Sequence, residues 1–167
     1  MIRLVHGKGQ LGGALNNIRN SFNNEYSIKK FYIYHTWNVW DKSEEAQLES
    51  YNDFKKFVDS HKEGKIIFIS TKTKEDTPYL KYKIKSEDYL DFKKDLVVRL
   101  PNIIGKGVCA KFRDEDVVPY GRMELIRLND AAFEIMKNLS LVGLLVVEGN
   151  VIDASIVKEL IKFGGLK

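Results

Sequence analysis

Apolar positions along the chain alternate between short continuous runs and longer stretches in which they recur every three or four residues. The short runs are typical of strands that are buried on both faces, and the longer stretches are typical of helices with one apolar side. Strands that alternate with helices predict an α/β fold with a mainly parallel sheet covered by helices. The predicted strands are Ile2–His6, Phe31–His35, Ile66–Ser70, Leu96–Leu100 and Leu144–Val147.

Helical periodicity occurs between and after these runs. It covers the stripe Leu11, Leu15, Ile18 and Phe22, the stripe Leu48, Tyr51, Phe54 and Val58, and the ranges Tyr79–Lys94, Asn129–Leu139 and Ala154–Phe163. Polar residues that cap helix N-termini precede three of the helices. These candidate caps are Asp41 or Ser43, Thr77, and Asp153.

Length and composition indicate one globular domain that spans residues 1–167, with 44% apolar and 30% charged residues. Cys109 is the only cysteine, so an internal disulfide is impossible, and the three histidines lack a metal-binding spacing. No apolar run approaches the roughly 18 residues that a membrane span needs, and the N-terminus does not resemble a signal peptide. We therefore expect a cytoplasmic protein without a membrane partner or a metal.

The net charge of +4 allows two interpretations. Excess lysine can attract a ligand that carries phosphate, or it can simply form a solvated surface. No zinc finger, homeodomain or RNA-binding signature is present, so a nucleic-acid partner is not expected.

A glycine turn follows the first predicted strand and opens the first predicted helix. The segment from Gly7 to Gly12 fits the pattern G-x-G-x-x-G, in which glycines allow the backbone to approach a pyrophosphate at a helix N-terminus. The alternative is a tight strand-to-helix connection without a ligand. The candidate cofactor-binding residues of this turn are Gly7, Lys8, Gly9, Gln10, Leu11 and Gly12.

Tyr79 and Lys83 lie four residues apart in a predicted helix, so they share one face. A nearby ammonium favours the phenolate and would lower the pKa of the tyrosine toward a useful range for acid/base catalysis. Ser70 or Thr71, at the end of the preceding strand, could hold a substrate oxygen beside the phenol. The pair alone is weak, because lysine is frequent in this segment and a chance match is easy.

In combination, these segments resemble the extended short-chain dehydrogenase/reductase family of NAD(P)-dependent sugar-nucleotide epimerases, dehydratases and reductases. The opening Val5–Gly12 is similar to the dTDP-4-dehydrorhamnose reductase branch, with one residue fewer between the first two glycines. Ile66–Thr71 resembles the strand that carries the catalytic Ser/Thr, and Val97–Gly107 resembles the strand and loop after the catalytic helix. The resemblance implies that Tyr79 is the acid/base and Lys83 its partner.

The same resemblance implies further roles and a division of the chain. His35 matches the histidine of the family's fourth strand, on the cofactor side, and Pro101 and Asn102 fall on the substrate side. Residues 1–107 would form a truncated Rossmann-like core, and residues 108–167 a small C-terminal remnant of the substrate region.

The chain departs from the family in ways that affect cofactor binding. It is much shorter, and only one strand–helix unit separates the glycine helix from the strand at Ile66, which favours loss of the second and third strands. Residues 26–36 contain no Asp or Glu, so the acid that binds a ribose hydroxyl is absent. We therefore expect weak binding of NAD or NADP, or a preference for a smaller nucleotide.

Three functions remain open. The first is a minimal NAD(P)-dependent oxidoreductase, epimerase or dehydratase that acts on a nucleotide sugar or a similar small molecule. The second is a non-catalytic descendant that binds a nucleotide or sugar nucleotide, and the third is a basic interaction domain.

We also expect a homodimer, because the related family commonly pairs the two helices that correspond to 41–61 and 79–94. The alternative is that the aromatic side chains of these segments pack within the monomer. They are Tyr51, Phe54, Phe57, Tyr82, Tyr89 and Phe92.

Overall fold

The computed structural model describes residues 2–7, 9–23, 30–104, 112 and 120–162. The strands are β1 (Ile2–His6), β2 (Phe31–Tyr34), β3 (Lys65–Thr71), β4 (Leu96–Leu100), β5 (Asn102–Ile104), β6 (Arg122–Arg127), β7 (Gly143–Val146) and β8 (Asn150–Asp153). The helices are α1 (Gln10–Asn23), α2 (Glu44–Ser60), α3 (Pro78–Glu87), α4 (Leu128–Lys137) and α5 (Ala154–Lys162).

Five strands form the main sheet, in the order β1-β2-β3-β4-β7, and every neighbouring pair is parallel. The predicted α/β class and parallel sheet are therefore confirmed. Within the described part of the chain, β1 lies at one end of the sheet and pairs with β2 alone. An edge position for β1 is what the predicted loss of two strands would produce, and that loss stays a prediction.

Side chains alternate between the two faces of the sheet and build two cores. One face carries residues such as Ile33 and Ile67, which pack against α1 and α4. The other carries Tyr34 and Phe68, which pack against Phe54 of α2. Because both faces are covered, the central strands are almost entirely apolar, which explains the continuous runs in the sequence.

A second, three-stranded sheet was not predicted. In it β5 pairs parallel with β6, and β6 pairs antiparallel with β8. Lys72, just after β3, joins the two sheets, because its ammonium contacts Glu124 of β6 at 2.6 Å and Glu148 at 2.8 Å. This small sheet takes β5 from the predicted core (1–107) and β6 and β8 from the predicted C-terminal region (108–167), and the division of the chain at 107 stays a prediction.

The caps of α2 and α3 are as predicted from the sequence, but the end of α3 is not. Ser43 and Thr77 each accept a hydrogen bond from the backbone N–H three residues later. The predicted helix to Lys94 is wrong, since α3 ends at Glu87. The chain then turns, because Asp95 accepts hydrogen bonds from the backbone N–H groups of Ile66 and Asp91.

The aromatic side chains of α2 and α3 mostly pack inside the monomer. Tyr51, Phe54, Phe57 and Tyr82 are buried, whereas Tyr89 and Phe92 lie beyond α3 and are 36% and 44% exposed. The alternative of internal packing thus holds for four of the six, and the homodimer stays a prediction. None of the described helices has the length and apolarity needed to cross a bilayer. The described residues also include no cluster of three or more His, Cys, Asp or Glu arranged for a metal ion.

Candidate functional site

A cavity of about 340 Å³ lies where the C-terminal ends of β1 to β4 meet. This edge is where open parallel sheets usually bind ligands, because the loops that follow the strands converge there. The cavity brings together ten residues that the sequence had singled out. They are Gly9, Gln10, Leu11, His35, Ser70, Thr71, Tyr79, Lys83, Pro101 and Asn102.

The glycines of the turn have different physical roles. Gly7 has a φ of 138°, and a side chain there would collide with the ring of His35. A side chain at Gly12 would meet the same ring and the carbonyl oxygen of Gly7. At Gly9, by contrast, a Cβ would meet no atom within 4 Å, and the residue lines the cavity. Only Gly9 therefore leaves space for a ligand, and Lys8 lies outside the described residues.

His35 packs against the glycine turn, between β2 and the N-terminus of α1. Burial lowers the pKa of its imidazole, so the neutral form is favoured at pH 7. Its Nε2 is buried and has no hydrogen-bond partner among the residues that the structure describes. The histidine thus closes the inner end of the cavity rather than carrying a charge into it.

Tyr79, in the first turn of α3, carries a protonated phenol. Burial raises the pKa of this phenol to about 12, and a hydrogen bond with the side chain of Thr71 opposes the shift only in part. The expectation of a lowered pKa from the sequence is therefore wrong. The reason is that the Lys83 ammonium lies 6.0 Å from the centre of the ring, while the apolar surroundings penalise the phenolate.

Lys83 lines the cavity, is almost fully buried and is held by the protein itself. Its Nζ donates a hydrogen bond to the carbonyl oxygen of Ile69 at 2.8 Å. The same atom lies 4.3 Å from the ring centre of Trp37 and 4.6 Å from that of Phe68. Burial lowers the pKa of this lysine to about 7, although the carboxylate of Glu87 opposes the change. At neutral pH the amine is therefore only partly charged.

The two hydroxyls at the end of β3 differ in their surroundings. Ser70 donates a hydrogen bond to Glu87 at 2.5 Å and is buried. Glu87 in turn pairs with Arg99, whose Nη2 lies 2.5 Å from its Oε2. Thr71 instead bonds Tyr79 and is half-buried in the cavity wall. Of the two candidates, Thr71 is therefore the one that stands beside the phenol.

Sequence reasoning missed the residues that hold this arrangement and those at the cavity mouth. Glu87 could have been found, because it follows Tyr79 and Lys83 at the same four-residue spacing and so lies on the same helix face. The mouth residues carry no comparable signal. They are Val39, Trp40, Lys42, Thr73 and Glu75.

No protein-family model matches the chain, and no curated protein sequence does so either. Solved structures do resemble it. The UDP-glucose 4-epimerase of Thermus thermophilus in complex with NAD is 17% identical with a TM-score of 0.63, and the match covers 95% of this chain and 67% of that chain. A monomeric L-threonine 3-dehydrogenase of metagenomic origin is 15% identical with a TM-score of 0.71, with 98% and 82% covered.

The UDP-N-acetylglucosamine 4-epimerase of Bacillus cereus is a further match, 16% identical with a TM-score of 0.61 over 99% of this chain and 85% of that one. The chain shares the fold of these enzymes, a mainly parallel sheet flanked by helices. At these identities the likeness establishes the fold. In this fold, the cavity described above occupies the edge of the sheet at which the loops converge.

Proposed function

We propose that the cavity binds the nicotinamide-ribose part of NAD(P) beside a nucleotide sugar or a similar carbonyl compound, and that Tyr79 transfers a proton to or from the substrate oxygen. One observation carries this proposal. Tyr79, Thr71 and Lys83 line the same cavity as the open backbone at Gly9, so the candidate acid/base and the candidate phosphate-binding turn share one space.

The residues present fit one half of such a cofactor better than the other. Gly9 immediately precedes α1, and the N-terminus of a helix is a position where a phosphate is favoured. On the far side of β1 the described sheet has no further strand, and the sequence supplies no acid for the second ribose. A cavity of about 340 Å³ is also near the lower end of the roughly 300–1,000 Å³ typical of small-molecule sites. These features support weak cofactor binding.

The chain's own residues supply proton transfer and orientation. Thr71 bonds the phenol of Tyr79, so a substrate oxygen at this point can meet both hydroxyls. NAD(P), when bound, would supply or accept the hydride. Lys83 in its charged form would stabilise the negative charge that develops on the phenol as it gives up its proton.

The pKa of Tyr79 agrees with a role as a proton donor. With a pKa of about 12 the phenol is protonated at neutral pH, so it can donate a proton to a carbonyl oxygen. The reverse step, in which the phenolate accepts a proton from a hydroxyl, would need a lower pKa in the complex with cofactor and substrate.

Turnover by a Tyr79→Phe variant tests the proposal. The substrates would be UDP-glucose and UDP-N-acetylglucosamine with NAD, and their 4-keto derivatives with NADH or NADPH. Loss of a general acid typically slows a reaction by about 10²–10⁴-fold, and we expect a loss of this size for Tyr79→Phe. Tyr89→Phe is the matched control, because this exposed tyrosine lies outside the cavity. Wild-type turnover by Tyr79→Phe would remove Tyr79 from the mechanism.

A second function has its own support. The contacts of Lys83 with Ile69, Trp37 and Phe68 hold the amine without any ligand, as in a site that binds without reacting. Such a non-catalytic protein would bind NADH or a sugar nucleotide in calorimetry and show no turnover with any substrate above.

A further inference from the structure

Trp40 is unusually exposed for a tryptophan. It is 65% exposed, and among the large apolar side chains that the structure describes only Tyr120 is more so. It lines the mouth of the cavity together with Val39, which is 43% exposed. An aromatic face left in water at the entrance to a cavity needs an explanation, because burying it would be favourable.

The loop that carries Trp40 is held in place by several hydrogen bonds. Asn38 Oδ1 accepts from the backbone N–H groups of Trp40 at 3.1 Å and Asp41 at 3.0 Å. The fully buried side chain of Gln47 donates to the carbonyl oxygens of Asn38 at 2.9 Å and Asp41 at 2.5 Å, and accepts from the indole of Trp37 at 2.7 Å. The exposed ring therefore stands on a fixed support, which reduces the entropy cost of binding to it.

The opposite wall of the mouth is a second ordered loop. Thr71 accepts a hydrogen bond from the backbone N–H of Thr73, and Thr73 accepts one from that of Glu75. Lys42 bridges the two walls through an ion pair of 2.9 Å with Glu75. These contacts hold the two walls of the mouth in place, and the exposed indole of Trp40 is the largest apolar surface between them.

We propose that Trp40 is a stacking platform for the base of a nucleotide whose remainder enters the cavity. A base presents a flat π-face to the indole and needs few polar partners, whereas a sugar ring needs hydrogen bonds around its whole rim. The net charge of +4 suits a ligand that also carries phosphate. The assignment rests on the proposed function only for the part of the ligand that reaches Tyr79.

Nucleosides test the platform without the contribution of phosphate. Adenosine, guanosine, cytidine and uridine would be titrated into the full chain by calorimetry, with methyl α-D-glucopyranoside as the sugar comparison. Stacking on one aromatic side chain is worth about 5- to 150-fold in affinity, so Trp40→Ala should weaken binding of at least one nucleoside by about fivefold or more. Trp40→Phe should retain most of the affinity. Tyr120→Ala, which removes an exposed aromatic outside the cavity lining, should change nothing.

Three results would overturn the assignment. They are no binding of any nucleoside at millimolar concentration, equal binding by wild type and Trp40→Ala, and tighter binding of the glucoside with the same dependence on Trp40. Turnover assays, on the wild type and on Tyr79→Phe, separate this proposal from the proposed function. If nucleosides bind in a way that depends on Trp40 but the protein shows no turnover, the stacking role of Trp40 is supported and the proposed enzymatic function is refuted.

Discussion

The burial of Lys83 should make the protein more stable as the pH rises above 7. Burial lowers the pKa of the folded-state amine from 10.5 to about 7. The unfolded lysine keeps its proton up to about pH 10.5, so between these values the unfolded state binds more protons than the folded state. Stability rises with pH wherever that is true. The burial cost is therefore present in full below about pH 7 and is relieved as the pH approaches 10.5.

The size of the effect follows from the two pKa values. Their difference, at 1.36 kcal/mol for each pKa unit, corresponds to about 5 kcal/mol over the whole range and to about 2 kcal/mol between pH 7 and pH 9. The rings of Trp37 and Phe68 favour the charged amine and reduce this gain. Above about pH 10 the trend reverses, since burial raises the pKa of Tyr34 and Tyr79 and ionisation then favours the unfolded chain.

Urea unfolding at pH 7, 8 and 9 measures the effect. The free energy of unfolding of the wild type should rise by about 1–2 kcal/mol over this range. Lys83→Met keeps a side chain of similar length without the charge, so its stability should be nearly independent of pH and at least equal to that of the wild type at pH 7. Lys85→Met, on the exposed side of α3, is the control and should follow the wild type. If Lys83→Met shows the same rise as the wild type, the reasoning is wrong.

Three other predictions follow from the site and the surface. Gly9→Ala should weaken the binding of NADH in calorimetry, because the added methyl group enters the space for the ligand. Gly13→Ala is the control, since a Cβ at Gly13 also meets no atom but lies outside the cavity lining, and it should leave the affinity unchanged. Equal affinities of the two variants for NADH would argue against a phosphate at the turn. Glu87→Ala should lower the free energy of unfolding by about 3 kcal/mol, because it strands the partly buried guanidinium of Arg99, and a loss below about 1 kcal/mol in urea would contradict this. Light scattering should show a homodimer that Phe92→Lys dissociates, and a wild-type monomer at micromolar concentration would end that expectation.

The sequence was a good guide to the fold where the signals were local. Continuous apolar runs identified the five strands of the main sheet, and Thr77 before Pro78 identified the start of α3. The end of α3 was missed because apolar residues continue to Phe92, while the turn depends on Asp95 and its contact with the distant β3. The strands of the smaller sheet were missed because they are only three to six residues long and are partly exposed.

The sequence identified residues of the site but not their protonation states or their hydrogen-bond partners. The spacing of Tyr79 and Lys83 placed both on one helix face, and both line the cavity. Their proton affinities depend on burial, and the partner of Ser70 is a carboxylate 17 residues away in the chain. Such properties arise only when the helix packs on the sheet, so no local pattern carries them.

The strand order has a consequence for how the chain assembles. In the main sheet β1, β2, β3 and β4 follow one another in sequence order, and only β7 must return across a long connection. Folds in which the first strand is central require the chain to come back to its beginning, which costs loop-closure entropy and slows folding. Here the first four strands can pair in the order in which they occur in the chain, although the face that carries α1 is covered only when α4 packs against it. The fourth of these strands, β4, supplies the wall that ends at Leu100, so the cavity has all its walls only when the first four strands have paired.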